Sequence, residues 1–265
     1  MTSTTSLTGT THDAWEKAAR AGYLVSGLLH VLIGFLALRL ALGDSSESAD
    51  QSGALSQVAE EPFGRVVLWV AVVAFLALAG WQAAKAAHVG RAGRSSGGDR
   101  AKAVGRAGVY LALALTSFAW ATGAGSSSSD QSKDMTADLM SQPFGRVLVG
   151  AVGLAVLVVG VYHVVKGWRK KFLEDLTGLP RGQAGRGTVV AGRLGYIAKG
   201  VALGIVGVLF GLAAWHADES EASGLDGAMR TLKEGPAGPL LLSLVALGFV
   251  AFGVYCAVRA RYGRL

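Results

Sequence analysis

Charge and cysteine are both scarce in this 265-residue chain, and each shortage excludes a class of protein. Only 16% of the residues are charged, whereas a soluble domain uses about a quarter of its residues in this way. The single cysteine, Cys256, cannot form an intramolecular disulfide or a Cys-x-x-Cys site. Five prolines, and 38 glycines without a three-residue period, exclude a collagen-like chain. The chain must therefore hide its apolar surface differently from a soluble globule.

Apolar residues, in contrast, are abundant and form long runs. They make up 51% of the sequence, and the mean hydropathy is +0.43. A bilayer core about 30 Å thick needs about 20 apolar residues in a helix that rises 1.5 Å per residue. Six stretches fit this requirement, at residues 21–42, 65–86, 107–123, 145–166, 194–215 and 238–258. They predict an all-α polytopic membrane protein with six transmembrane helices.

The charged residues are distributed unequally between the two sides of these helices. The N-terminal segment, the segments 85–106 and 166–193 and the tail from residue 259 hold 18 Lys/Arg against 5 Asp/Glu, whereas the other three loops hold 6 against 13. The positive-inside rule assigns the basic side to the cytoplasm. We therefore expect a multi-pass protein of the bacterial cytoplasmic membrane with both termini inside. Basic residues that follow the topology in this way argue against nucleic acid as a partner.

One pattern recurs three times along the chain. Arg-x-Gly begins the first helix of each copy, Pro-x-Gly begins the second, and an aromatic residue and a cation follow that proline by 19 and 23 positions. The matched residues are Arg20, Arg106 and Arg193; Gly22, Gly108 and Gly195; Pro62, Pro143 and Pro236; Gly64, Gly145 and Gly238; Trp81, Tyr162 and Tyr255; and Lys85, Lys166 and Arg259. The pattern predicts three tandem helical hairpins with a pseudo-threefold repeat. Their predicted bounds are 19–90, 102–171 and 189–265, after a polar tail over residues 1–18.

The Arg-x-Gly-Tyr opening and the Pro-Phe-Gly-Arg turn of this pattern resemble a bacterial membrane-protein family known as domain of unknown function 1206 (DUF1206). In that family such a helix pair occurs three times, and the resemblance covers residues 19–265. The third copy departs from the pattern, with Ala237 and Pro239 in place of Phe and Arg. The resemblance implies a fold of three two-helix repeats, and it implies no activity.

Each acidic loop carries apolar residues at helical spacing before its proline. These residues are Leu55, Val58 and Ala59, then Met135, Leu139 and Met140, then Met229 and Leu232. The spacing favours a short amphipathic helix along the outer membrane face, ending at the Pro-x-Gly turn, over a disordered Ser-rich loop. Asp226 is placed to cap the third of these helices.

Six recurring cations are a candidate site at the cytoplasmic face. They are Arg20, Arg106, Arg193, Lys85, Lys166 and Arg259. Arginine at a helix N-terminus opposes the macrodipole, so helix stability does not explain the first three. One interpretation is that the cations bind anionic lipid headgroups, or the carbonyl groups at C-terminal helix ends. The alternative is that they only carry the positive-inside signal.

Two polar residues, His30 and Lys199, lie well inside the predicted spans. Lys199 is about 9 Å into the membrane and His30 about 15 Å, by helical rise. An intramembrane cation indicates a functional site, but at this depth we expect Lys199 to snorkel back to the headgroups. We interpret His30 as a hydrogen-bonded packing residue. A haem held by His30 and His163 would need both at one depth, and His163 is only about 5 Å deep, so no cofactor is expected.

Glycines in the fifth span are predicted to allow close helix packing. They are Gly200, Gly204, Gly207 and Gly211. No HExxH motif or P-loop occurs, and no carboxylate lies in any span, so we do not expect an enzyme or a metal site. The sequence favours a non-catalytic accessory or interaction protein that contacts the bilayer and a membrane-protein partner or a second copy of itself. The alternative is a small transporter or channel with a polar path between the repeats.

Overall fold

The computed structural model describes residues 6–44, 47–91 and 97–264, and within them the side chains of residues 20–87 and 100–264. This part of the chain contains nine α-helices and no β-strand. They are α1 Ser6–Ala41, α2 Gln51–Glu60, α3 Gly64–Arg91, α4 Gly97–Thr122, α5 Ser128–Met140, α6 Gly145–Trp168, α7 Gln183–His216, α8 Gly224–Glu234 and α9 Gly238–Tyr262. Of the predicted polar tail, residues 1–5 lie outside the described residues, and α1 already includes the rest.

Six of these helices are long and apolar enough to cross a membrane, which confirms the predicted fold class. Their membrane-spanning parts are Arg20–Ala41, Gly64–Ala87, Arg100–Thr122, Gly145–Trp168, Gln183–His216 and Gly238–Tyr262. Among these membrane-spanning parts, the largest difference from the predicted bounds is in the fifth, which begins at Gln183 rather than at residue 194. This additional helix has an inner face, because Thr188 and Gly192 are buried within the protein.

The short helices α2, α5 and α8 lie in the acidic loops and confirm the predicted helix before each Pro-x-Gly turn. In the second copy Phe144 adopts a left-handed φ of 63°, and in the third Ala237 has a φ of 54°. The glycine that follows packs its backbone on the preceding short helix, as Gly145 does on the carbonyl oxygen of Leu139. A Cβ at this position would overlap that carbonyl group, so the turn requires glycine.

Asp226 does not cap α8, contrary to the prediction. Ser223 is the residue at the N-cap, and Asp226 lies in the first turn of the helix. Its carboxylate accepts hydrogen bonds from the backbone N–H of Ala49 at 2.8 Å and from Nε of Arg230 at 2.7 Å. A buried carboxylate needs such donors because it has lost its hydration. Asp226 therefore joins the first acidic loop to the third.

The chain forms two compact units, one of residues 1–51 and 128–265 and a smaller one of residues 52–127. In the larger unit α6 packs on α7, α1 on α9, and α7 on α9, and in the smaller unit α3 packs on α4. The α3–α4 and α6–α7 pairs each join the second helix of one repeat to the first helix of the next. The α1–α9 pair joins the first helix of the first repeat to the second helix of the third.

The α1–α9 and α6–α7 pairs use the same positions of the repeat. Gly27 of α1 and Gly200 of α7 match when the copies are aligned on their opening arginines. A Cβ added at Gly27 would lie 2.9 Å from the carbonyl oxygen of Gly253, and one added at Gly200 would lie 2.6 Å from that of Gly160. Gly253 and Gly160 match in their turn when the copies are aligned on their prolines. One kind of interface therefore occurs twice in the larger unit.

Candidate functional site

The two polar residues of the spans, Lys199 and His30, meet in the larger unit. Lys199 Nζ lies 3.2 Å from His30 Nε2, and His30 Nδ1 lies 2.7 Å from the carbonyl oxygen of Ser26. A carbonyl oxygen can only accept, so Nδ1 carries the hydrogen of the imidazole. This leaves a lone pair on Nε2 that accepts a hydrogen bond from the Lys199 ammonium. We call these two residues the Lys199–His30 pair.

Aromatic rings surround the Lys199–His30 pair. The centroid of the Phe252 ring lies 4.8 Å from Lys199 Nζ and 4.7 Å from the centroid of the His30 ring. Phe249 stacks on His30 at 5.9 Å. The face of Phe252 gives the ammonium a second favourable contact. The six membrane-spanning parts contain no Asp or Glu, so no carboxylate of the spans neutralises the charge of the Lys199–His30 pair.

This geometry differs from the snorkelling expected for Lys199. Its ammonium contacts His30, which by helical rise lies deeper in the membrane than Lys199 itself. A lysine snorkels because water and headgroups are the nearest acceptors for its charge. Here the neutral imidazole supplies an acceptor within the protein. His30 is hydrogen-bonded and packed among aromatic rings, which agrees with its interpretation from the sequence as a hydrogen-bonded packing residue.

Two of the six recurring cations converge on an acidic residue that is not among the predicted site residues. Lys166 Nζ and Arg259 Nη1 lie 2.7 and 3.3 Å from the same oxygen, Oδ2 of Asp175. The hydroxyl oxygen of Tyr196 lies 3.5 Å from that oxygen. Helices α6, α7 and α9 thus each direct one donor to a single carboxylate oxygen. Asp175 ends a short 3-10 turn, Lys171–Asp175, that follows α6.

The other four recurring cations have different surroundings. Arg20 donates a hydrogen bond of 3.2 Å to the carbonyl oxygen of Arg261, near the C-terminal end of α9. This is the carbonyl contact that one interpretation of the sequence expects. Arg193 and Lys85 each lie over a tryptophan ring, 4.9 and 5.2 Å from its centroid. Arg106 is exposed. Arg106 and Lys85 belong to the smaller unit, and the remaining recurring cations belong to the larger unit.

The turn after α6 is inserted into the end of the larger unit. Phe172 is fully buried, and its ring stacks on Tyr196 at a centroid distance of 5.6 Å. The hydroxyl of Tyr255 donates a hydrogen bond of 2.9 Å to the carbonyl oxygen of Phe172. We call residues 171–177 the cover segment, because its buried side chains, Phe172 and Leu176, pack against the aromatic cluster that also contains Cys256.

The C-terminal residues hold the cover segment on its other side. Leu176 forms an isolated antiparallel bridge with Gly263. The backbone N–H of Thr177 donates to the carbonyl oxygen of Tyr262 at 2.8 Å, and the N–H of Arg264 donates to that of Asp175 at 2.9 Å. The cover segment is therefore fixed by backbone hydrogen bonds as well as by its ion pairs.

The four glycines predicted to pack in α7 have unequal surroundings. Gly200 and Gly207 face α6 directly, and a Cβ added at Gly207 would lie 2.6 Å from the backbone nitrogen of Leu157. A Cβ at Gly204 would meet only the end of the Leu157 side chain, at 4.0 Å, and one at Gly211 would meet nothing within 4 Å. The absence of a side chain is therefore required at two of the four positions.

The glycines of α6 that complete this interface are not among the predicted packing residues. They are Gly153, Gly160 and Gly167, and a Cβ on any of them would come within 3.0 Å of the backbone of α7. Their sequence signal is the spacing of seven residues, which returns to the same helix face after two turns. The same spacing separates Gly200 from Gly207.

Asp175, Phe172, Tyr196 and Phe252 are among the site residues that sequence reasoning missed. The available signal was the presence of two acids, Glu174 and Asp175, in an otherwise basic loop. Nothing local distinguishes these two acids, because the cations that select Asp175 come from α6 and from α9.

Six apolar helices and three copies of one two-helix pattern define a multi-pass membrane protein built from tandem repeats. The family described as Domain of Unknown Function (DUF1206) matches at residues 21–88, 101–170 and 194–263, and the chain belongs to this family. The uncharacterized protein YxxB of Bacillus subtilis (strain 168) is 28% identical over 251 residues, which cover 93% of this chain and 90% of that protein. No solved structure matches the chain.

Proposed function

We propose that the chain is a non-catalytic accessory protein of the bacterial cytoplasmic membrane, with its termini and basic loops in the cytoplasm. The observation that carries this proposal is that cations of the larger unit join its elements to one another. Lys166 and Arg259 hold Asp175, and Arg20 holds the end of α9. Arg146 donates hydrogen bonds of 3.0 and 2.8 Å to the last carbonyl groups of α7. Such side chains support a scaffold for other molecules rather than a reactive site.

The partners that fit this proposal are the bilayer and an apolar helix. Lys and Arg near the membrane surface attract anionic headgroups, which favours contact with these lipids on the basic side. Along α6 the exposed side chains of Val147, Leu154 and Val161 recur every seven residues and form an apolar stripe. This stripe fits lipid tails, a helix of another membrane protein, or the same helix of a second copy.

The proposal is tested by crosslinking in bacterial membranes and purification of the tagged chain in a mild detergent. We expect a second membrane protein, or a second copy of this chain, at a fixed ratio. Leu154→Trp is expected to reduce that association, because it alters the shape of the exposed stripe of α6. Leu111→Trp, on an exposed position of α4, is the matched control. Recovery of the chain only as an uncrosslinked monomer would contradict the proposal.

A small transporter or channel is the second candidate, and the Lys199–His30 pair favours it. Polar residues at this depth of a membrane protein commonly belong to a substrate or ion path. The test is the flux of protons and of chloride into proteoliposomes that contain the wild type, Lys199→Gln, or the charge-retaining Lys199→Arg. Flux above that of empty liposomes, lost in Lys199→Gln and kept in Lys199→Arg, supports the transporter. No flux through the wild type rejects it.

A further inference from the structure

The geometry around Asp175 points to a binding site for a phosphate group. We propose that Lys166 and Arg259 form this site, and that Asp175 occupies it from within the chain until a phosphate displaces the carboxylate. The ligand is the phosphate of an anionic phospholipid headgroup or a free phosphate ion. This inference deepens the headgroup contact of the proposed function and names the residues that make it.

The first support is the arrangement of donors. Lys166 Nζ, Arg259 Nη1 and the Tyr196 hydroxyl all approach one oxygen, Oδ2 of Asp175, at 2.7, 3.3 and 3.5 Å. Two cations and a hydroxyl that converge on one oxygen match the way in which proteins bind an oxyanion. Asp175 therefore presents to these residues a negatively charged oxygen, as a phosphate would.

The second support is a donor that Asp175 leaves without a partner. Nε of Arg259 is buried and has no hydrogen-bond partner among the described residues. The guanidinium fork can bind two oxygens at once, and a phosphate offers more oxygens than a carboxylate does. Asp175 contacts Nη1, whereas Nε lies on the guanidinium edge that it shares with Nη2, so a phosphate that replaces the carboxylate can bind this second edge. The site thus has one donor more than its present occupant uses.

Charge and access favour the same ligand. Two cations face a single carboxylate, so the cluster keeps a positive charge that attracts a further anion. The side chains of Lys166, Asp175 and Arg259 are 14%, 22% and 22% exposed, so an anion can approach them from the side of the basic loops. Headgroup phosphates lie at this level of a membrane, next to the ends of the spanning helices.

Displacement of Asp175 should change the accessibility of the single cysteine, Cys256, which can be measured in the native chain. Asp175 belongs to the cover segment, whose Phe172 and Leu176 pack in the same buried cluster as Cys256. Cys256 is the single cysteine of the chain and is buried. When a phosphate releases Asp175, the cover segment loses two ion pairs and loosens, and the Cys256 thiol becomes accessible to a small maleimide.

The experiment measures the rate of Cys256 alkylation by N-ethylmaleimide in the purified full chain. Wild type is reconstituted in phosphatidylcholine alone, in phosphatidylcholine with phosphatidylglycerol, and in phosphatidylcholine with added inorganic phosphate. We expect slow alkylation in phosphatidylcholine and a rate about tenfold higher with a suitable phosphate, the factor that corresponds to about 1.4 kcal/mol. A rate increase with phosphatidylglycerol alone identifies a lipid ligand, and an increase with inorganic phosphate identifies a soluble one.

Asp175→Asn and its neighbour Glu174→Gln form a matched pair of variants, since each removes one negative charge from the same turn. Asp175→Asn is expected to alkylate fast in every membrane and to retain more phosphatidylglycerol, or more phosphate, in native mass spectrometry. Glu174→Gln is expected to behave like the wild type. If Asp175→Asn does not fold, Lys166→Gln provides the second test, because it should retain less of the same anion than the wild type.

The inference is overturned if neither phosphatidylglycerol nor phosphate changes the alkylation rate of the wild type. It is also overturned if Asp175→Asn, or Lys166→Gln in its place, binds these anions as the wild type does. These measurements use the purified chain without any protein partner. Their failure therefore leaves the search for a partner unaffected, and a failure of that search leaves this result unaffected.

Discussion

At the scale of single residues, a cation inside a membrane is stable only if the protein replaces the water that it has lost. Lys199 has the lone pair of His30 and the face of Phe252 for this purpose. His30 can accept because its other nitrogen donates to the carbonyl oxygen of Ser26. The orientation of the imidazole is therefore part of what stabilises Lys199.

Removal of the acceptor should destabilise the larger unit. We expect His30→Ala to lower the free energy of unfolding by about 1–3 kcal/mol, because a buried ammonium loses its hydrogen bond. The double variant His30→Ala with Lys199→Leu should recover part of that loss, because neither partner is then left unsatisfied. Thermal unfolding in detergent measures both effects.

Thr116→Ala is the control for this pair of variants, because among the described residues the Thr116 hydroxyl bonds only within its own helix, to the carbonyl oxygen of Ala112 at 2.9 Å. It should change the unfolding temperature little. A double variant no more stable than His30→Ala would show that the hydrogen bond to Lys199 is not what His30 contributes.

At the scale of helices, α6 and α7 approach closely because glycine faces glycine along their contact. The backbones meet at Gly153 with Gly207 and at Gly160 with Gly200. Lipid tails are as apolar as leucine, so burial of apolar surface drives helix association weakly within a bilayer. Dispersion contacts between the closely packed backbones drive the association instead. The interface is consequently sensitive to a single added methyl group.

The two glycine environments of α7 predict opposite outcomes for one substitution. Gly207→Ala should lower the free energy of unfolding by about 1–3 kcal/mol, because the added methyl would lie 2.6 Å from the backbone nitrogen of Leu157. Gly211→Ala should be neutral or slightly stabilising, because its Cβ meets open space and alanine favours the helix. Unfolding temperatures in detergent compare the two, and equal changes would show that α6 does not pack on this face.

The C-terminal end of α7 offers a stabilising substitution. Ala217 ends this helix with a left-handed φ of 57°, a conformation that glycine adopts without steric cost. Ala217→Gly should therefore raise the free energy of unfolding by up to about 1 kcal/mol. Ala214→Gly, within the helix, is the control and should lower it by about 1 kcal/mol. A loss of stability in Ala217→Gly would argue against the left-handed end.

At the scale of the whole molecule, the distribution of charge predicts the orientation in the membrane. The acidic loops should face outward and the basic loops inward. Single cysteines at the exposed positions Glu61, Asp134 and Glu219, with Cys256→Ala, should react with a membrane-impermeant maleimide in intact cells. A cysteine at the exposed Arg181 should react only after the cells are opened. The reverse pattern would invert the topology.

The three Pro-x-Gly turns of the repeat have equivalent structural roles along the whole chain. Gly64, Gly145 and Gly238 are used in the same way, each with its backbone on the end of the short helix before it. The arginine that follows has a partner in the second copy, where Arg146 meets the last carbonyl groups of α7. In the third copy Pro239 occupies that position at the start of α9, where its missing N–H is not needed by the helix.

The sequence by itself determined the six spans, the three repeats and the short helices of the acidic loops. These features depend on local quantities, namely the length of an apolar run against the bilayer thickness and the spacing of apolar residues along a helix. The Pro-x-Gly turns were visible for the same reason, because a few adjacent residues make them. The depth of Lys199 and His30 likewise follows from helical rise alone.

Only the tertiary structure decided which side chains meet. Lys199 and His30 are 169 positions apart, and their contact requires α7 and α1 to pack in one unit. Asp175 acquires its role from cations on α6 and α9, and the same residue in an isolated loop would be one solvated charge among many. Helix pairs that form across repeat boundaries depend on matched surfaces of two helices. Such surfaces are properties of both partners at once, and no local pattern in either helix specifies the other.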